Sequence, residues 1–88
     1  MRIEIHDHAL IHGVTVDQIR TAFTQGAIEK RIRLRDRKAD PPRWGVIGFD
    51  SQARALELVA VELLSGDVLI IHANYLTPGF TQEMRKTP

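Results

Sequence analysis

The sequence predicts an α+β domain: an antiparallel sheet of about four strands, N-terminal helices packed on one face, and a short C-terminal helix. Three observations carry that expectation. Residues 15–26 hold a capped amphipathic helix, residues 27–37 alternate apolar with basic, and residues 43–76 read as three apolar strands separated by turn residues.

Taken in order, Arg2-Ile3-Glu4-Ile5-His6 has the period of two expected of a short half-buried strand, suited to a sheet edge. Asp7 can cap a brief helix through His8-Ala9-Leu10-Ile11-His12, with Gly13 leaving it in a left-handed conformation. Thr15 and Gln18 form a capping box, Val14 can staple to Ile19, and Val16, Ile19, Ala22 and Phe23 make one apolar stripe that ends at Gly26. From Ala27 to Arg37 a strand is expected with Ile28, Ile32 and Leu34 on one face and Arg31, Arg33, Arg35 and Arg37 on the other. Asp40-Pro41-Pro42 interrupts the pairing, because prolines cannot donate to a ladder. Strands are then expected over Arg43 to Phe49, Ala55 to Leu64 and Val68 to Leu76, turning at Asp50-Ser51-Gln52 and at Ser65-Gly66-Asp67. These strands are apolar on both parities, so each face needs cover from helix, loop, tail or partner. Thr77-Pro78 has the form of an N-cap and first helical residue, with Phe80 and Met84 one helical turn apart behind it.

One domain is expected from 88 residues. The absence of cysteine removes disulfide and thiolate-metal chemistry, and no apolar run approaches the roughly 18 residues of a membrane span. With an N-terminus that has no signal-like apolar stretch, the expected location is cytoplasmic, without membrane. Net charge is only +1, yet seven of the twelve Lys and Arg lie within residues 30–43 beside two acids, a local excess of +5 against −4 for the remainder. Such polarisation suits an anionic ligand.

The arginines at alternate positions are the most informative feature, since guanidiniums spaced about 6.6–6.8 Å apart can follow a phosphate backbone. Arg31, Arg33, Arg35, Arg37 and Lys38 are therefore candidate RNA-binding residues; a solvated strand face, or one that receives an acidic protein partner, is the plain alternative. His72 ends the apolar run Val68-Leu69-Ile70-Ile71 and is a candidate acid or base, or else a hydrogen-bonded core histidine. His8 and His12 have a helical metal-ligand spacing but lack a third ligand, so no metal or other cofactor is expected. Trp44 and Tyr75 can stack an unpaired base. The sequence has no Gly-rich phosphate loop, nucleophile elbow or paired-carboxylate motif, which removes NTPase, hydrolase-fold and glycosidase readings.

The His12-Gly13-Val14 step into a capped helix, the basic strand, the run Arg43-Trp44-Gly45-Val46-Ile47-Gly48, the Ser65-Gly66-Asp67 hairpin and the final Ile71-His72-Ala73 together resemble the BrnT-like toxins of the RelE-type ribonuclease superfamily. The likeness spans about residues 3–76. It implies a messenger-RNA-cleaving toxin, neutralised by a cognate antitoxin through whose complex operator DNA is bound. The chain departs from the family pattern at Ile11, where a basic residue is common, and at His72-Ala73-Asn74, where Ser-Ala-Arg is common. In place of that arginine, the resemblance leaves His72, Arg43, Tyr75 and His12 as the catalytic set. The rival expectation is a non-catalytic RNA- or antitoxin-binding module on the same fold.

Overall fold

A computed structural model describes residues 1–86. Five strands form one mixed sheet in the order β1-β5-β4-β3-β2: β1 Ile3–Ile5, β2 Ala27–Ile32, β3 Arg43–Phe49, β4 Ala55–Glu62 and β5 Val68–Tyr75. The four longer strands are the antiparallel meander that the sequence predicts. The fifth, β1, pairs parallel to β5, with Ile3 opposite Val68, so the sheet is larger than four strands and is not purely antiparallel. Three residues of alternating pattern cannot name their partner. Here the free edge of β5 takes them, through Val68 N–H to Arg2 C=O and His6 N–H to Ile70 C=O, both 2.9 Å.

Between β1 and β2 the chain crosses one sheet face through α1, Val16–Thr24. The capping box is present: Gln18 N–H donates to Thr15 Oγ1, and Thr15 N–H donates to Gln18 Oε1. Ile19 and Ala22 are buried against Val46, Leu56, Leu58, Ala60, Ile70 and Ala73, with Phe23 packed beside them. Val16, expected in this stripe, is instead exposed. The helix ends at Gly26 as expected, the glycine following the C-cap Gln25 without positive φ; its carbonyl accepts from Phe49 N–H, where a Cβ would collide with the Phe49 carbonyl. The brief N-terminal helix is a 3₁₀ turn over Asp7–Leu10, capped by His6 rather than Asp7. Gly13 does follow it with positive φ, as Gly66 does in the β4–β5 hairpin.

The opposite face is covered by α2, Pro78–Lys86, which buries Phe80 and Met84 against Ile47 and Val59. Thr77 begins this helix as the sequence suggests, its Oγ1 accepting from Phe80 N–H.

The largest correction concerns the basic strand. β2 ends at Ile32, and Leu34–Asp36 form a 3₁₀ helix. A register shift between Ala27 and Glu29 turns Ile28 outward, and Leu34 is also exposed, so the predicted apolar face survives only at Ile32. Arg33 bonds through its guanidinium to Asp36 and bends the chain there, helped by Asp36 N–H donating to Arg33 C=O.

Where β3 turns into β4, Asp50 gathers four donors: Gln18 Nε2, the Gln52 and Arg54 amides, and Arg54 Nε at 2.8 Å. Led by the Gln18 hydrogen bond, and against the desolvation that raises it, these donors lower its carboxyl from the ordinary 3.8 to about 2. A carboxyl depressed in the fold stabilises it above the unfolded value and loses that contribution as pH falls from about 4 to 2. Asp50→Asn is therefore expected to lower stability at neutral pH and flatten its decline across that window. Denaturant unfolding at stepped pH measures both; parallel pH profiles for the two proteins would contradict the assignment.

Candidate functional site

The site forms where β5 departs from regular pairing. Val59 of β4 lies opposite His72, but the next residue, Ala60, lies opposite Ile70, so Ile71 is the extra residue of a β-bulge. Ile71 and His72 consequently both address the α2 face: Ile71 packs on the Ile47–Val59–Phe80–Met84 cluster, and His72 Nε2 lies 2.8 Å from Glu57 Oε2. A strand interior fixes both side chains of the pair more firmly than a loop would.

Glu57 is the only charged residue in the run Ala55 to Val61, and its side chain is 7% exposed. Its second oxygen, Oε1, accepts from Thr77 N–H at 2.9 Å and from the Thr77 hydroxyl at 2.6 Å. Burial by itself raises the carboxyl; the hydrogen bonds from His72 and Thr77, together with the charge of His72, outweigh it and leave Glu57 below the usual carboxylate range. An ionised carboxylate only accepts, so Nε2 of His72 carries the hydrogen and Nδ1 is the nitrogen that the carboxylate leaves for chemistry.

An open cleft of about 700 Å³ extends from this pair, lined also by His6, His8, Arg33, Arg35, Arg43 and the start of α2. Arg33 is buried where β3 has Gly45, at which a Cβ would lie 2.8 Å from Arg33 Cγ and 2.6 Å from Met84 Sδ. Asp36 and Glu83 neutralise Arg33, with Glu83 3.8 Å from its Nε, and Arg35 lies 3.2 Å from the same Glu83 oxygen. Arg43 is exposed and ion-paired with none of the described residues. The His12 ring meets His72 edge-on, 5.6 Å between centroids. Three imidazoles, His6, His8 and His72, thus share one cleft with the carboxylates of Glu57 and Glu83 and three guanidiniums, and the His12 ring adjoins it through His72.

Other sequence candidates lie elsewhere. Tyr75 is three residues beyond His72 on the strand and on the opposite sheet face, where Gln18 Nε2 donates to its hydroxyl and Arg54 lies over its ring. It cannot act with His72. Trp44 likewise faces away from Arg43, half-buried against the α1-side core with Lys30 over its ring. Arg31 reaches the Met84 carbonyl and approaches Glu29. Arg37 and Lys38 are exposed beyond the 3₁₀ helix and do not line the cleft. The expected row of four arginines is therefore a cluster, Arg33, Arg35 and Arg43, assembled from the chain bend and β3. Glu57 and Glu83 are site residues that the sequence reading does not single out; a lone acid inside an apolar strand is the signal that marks Glu57. Among the described residues no three His, Cys, Asp or Glu side chains are placed to hold a metal ion, and no helix is long and apolar enough to cross a membrane. No protein-family model, curated protein or solved structure matches the chain.

Proposed function

We propose that the chain is an endoribonuclease, the toxin of a bacterial toxin–antitoxin pair, which cleaves single-stranded messenger RNA by metal-independent acid-base chemistry. The observation that carries the chemistry is the His72–Glu57 pair opening into an arginine-lined cleft. His72 Nδ1 accepts the proton of a ribose 2′-hydroxyl, whose oxygen attacks the adjacent phosphorus. The P–O5′ bond breaks, leaving a 2′,3′-cyclic phosphate, and the departing 5′-oxygen takes a proton from the His12 imidazolium. Arg43 stabilises the charge that develops on the phosphoryl oxygens, while Arg33, held by Asp36, fixes the shape of the binding wall. The toxin role itself rests on the family resemblance: a cognate antitoxin masks the basic face and links the complex to operator DNA in the cytoplasm.

The test is incubation of the purified protein with labelled single-stranded RNA in EDTA and, separately, with translating ribosomes in their magnesium buffer. Cyclic-phosphate-ended fragments are expected. Salt-sensitive binding with no fragments under either condition would replace the enzyme by the non-catalytic binding module. Arg43→Ala is expected to weaken RNA binding and to reduce the slope of log affinity against log salt by about 0.7, the value for one lost phosphate contact on a single strand. An unchanged slope in a fluorescence-anisotropy titration would remove Arg43 from the interface.

A further inference from the structure

We propose that Thr77 is the positioning residue of the site: by holding Glu57 Oε1 with both its hydroxyl and its amide, it aims Oε2 at His72 and ties that aim to the docking of α2. This deepens the ribonuclease reading and rests on it for the kinetic consequence alone.

The geometry is a relay of hydrogen bonds across three elements. Phe80 N–H, in the first turn of α2, donates to Thr77 Oγ1 at 3.3 Å. The hydroxyl donates onward to Glu57 Oε1 at 2.6 Å, and Thr77 N–H donates to the same oxygen at 2.9 Å. Glu57 Oε2 is thereby left to His72 Nε2. A hydroxyl has one hydrogen and two lone pairs, so Thr77 can cap the helix and serve the carboxylate together without competition. Paired donors on one oxygen also fix the rotation of the carboxylate plane, which a single bond would leave free. Helix docking and catalytic alignment therefore share one side chain. With Phe80 and Met84 lifted from the sheet, the cap and the carboxylate clamp would loosen in one step.

Nothing else clamps Oε1 among the hydrogen bonds of the described residues, and Thr77 itself lines the cleft beside His72. The sequence marks Thr77 only as a helix cap before Pro78. Its second task appears only because β4 carries Glu57 beneath the start of α2.

Thr77→Val keeps the shape and the amide but removes the hydroxyl; Thr77→Ser keeps both donors. For the valine protein kcat is expected to fall about 10–100-fold, the equivalent of one lost hydrogen bond to a buried charge, with KM little changed. Its Glu57 carboxyl should also titrate higher, because it loses a donor. The serine protein should restore both. A purely structural loss would lower the folded fraction, visible by circular dichroism, without moving that titration.

A second measurement is independent of RNA cleavage. In ¹³C NMR titration the Glu57 carboxyl should titrate higher in Thr77→Val than in the parent and Thr77→Ser proteins, and in the parent the Thr77 amide proton should follow that titration. A Glu57 titration unaffected by the valine, or a Thr77 amide indifferent to Glu57 in the parent, overturns the positioning role even if the valine protein folds poorly. If the parent cleaves no RNA yet Glu57 shifts as described, Thr77 keeps its role and the ribonuclease reading falls alone.

Discussion

His72→Ala is expected to slow RNA cleavage by about 10²–10⁴-fold, the range lost with a general acid-base group, while leaving RNA affinity within a few-fold. The histidine is partly exposed and has one hydrogen-bonding partner, so its removal should preserve the fold; its absence leaves the 2′-hydroxyl without an acceptor. Glu57→Gln should produce a loss of similar size by another route. The amide matches the carboxylate in shape but presents two N–H donors on one side, whereas Glu57 now accepts from three donors, one on His72 and two on Thr77. At least one of these would face a donor, and the imidazole would lose the partner that keeps the hydrogen on Nε2. Because the two residues act as a unit, the double variant should be scarcely slower than either single one. Single-turnover cleavage with matched folded concentrations measures all three. A parent rate in His72→Ala would falsify the assignment; multiplicative losses in the double variant would separate Glu57 from His72.

How much of this was legible in the sequence follows from how local each determinant is. The capping box of α1 needs only Thr15 and Gln18, and the β4–β5 hairpin needs only a residue that tolerates positive φ at Gly66; both were readable and both are present. The partner of β1 was not readable, because β5 lies at the other end of the chain and only the closed order of the meander leaves its edge open. The basic segment shows the same limit from the other side. Alternation holds through Arg33, but what happens to that arginine depends on space above Gly45 and on acids at Asp36 and Glu83, the second of which arrives with α2. Alternation cannot register an arginine drawn inward by distant carboxylates. An odd separation along a strand puts Trp44 on the other sheet face from Arg43 and Tyr75 on the other face from His72, a placement that alternation alone makes legible. His72 is legible because it ends an apolar run. Glu57 carries an equal signal, a buried acid among valines and leucines, which gains meaning once β4 and β5 are aligned.

Gly48→Ala is expected to destabilise the protein by about 2–4 kcal/mol, more than an ordinary core methyl change, because the obstruction is backbone. An alanine Cβ at this position would collide with the Ala22 carbonyl oxygen and lie 2.9 Å from its carbon. No rotamer can relieve that contact; α1 must lift from β3, and its separation would loosen Ile19 and Ala22 from Val46 and Leu58. A domain of this length holds roughly 4–13 kcal/mol in total, so the loss should be seen as a melting temperature lower by about 10–20 °C. Gly79→Ala supplies the opposite sign: its Cβ meets nothing within 4 Å and lies within α2, so a gain of about 0.5 kcal/mol is expected from reduced freedom of the unfolded chain. The contrast distinguishes close approach from a general intolerance of glycine replacement. Should Gly48→Ala melt with the parent, α1 cannot lie against β3 at this distance, and the packing that carries the chain from β1 across the sheet to β2 would need another arrangement. The His72 side, covered by α2 on the other face, is expected to keep its geometry in either case, so RNA cleavage by the folded fraction of Gly48→Ala should match the parent.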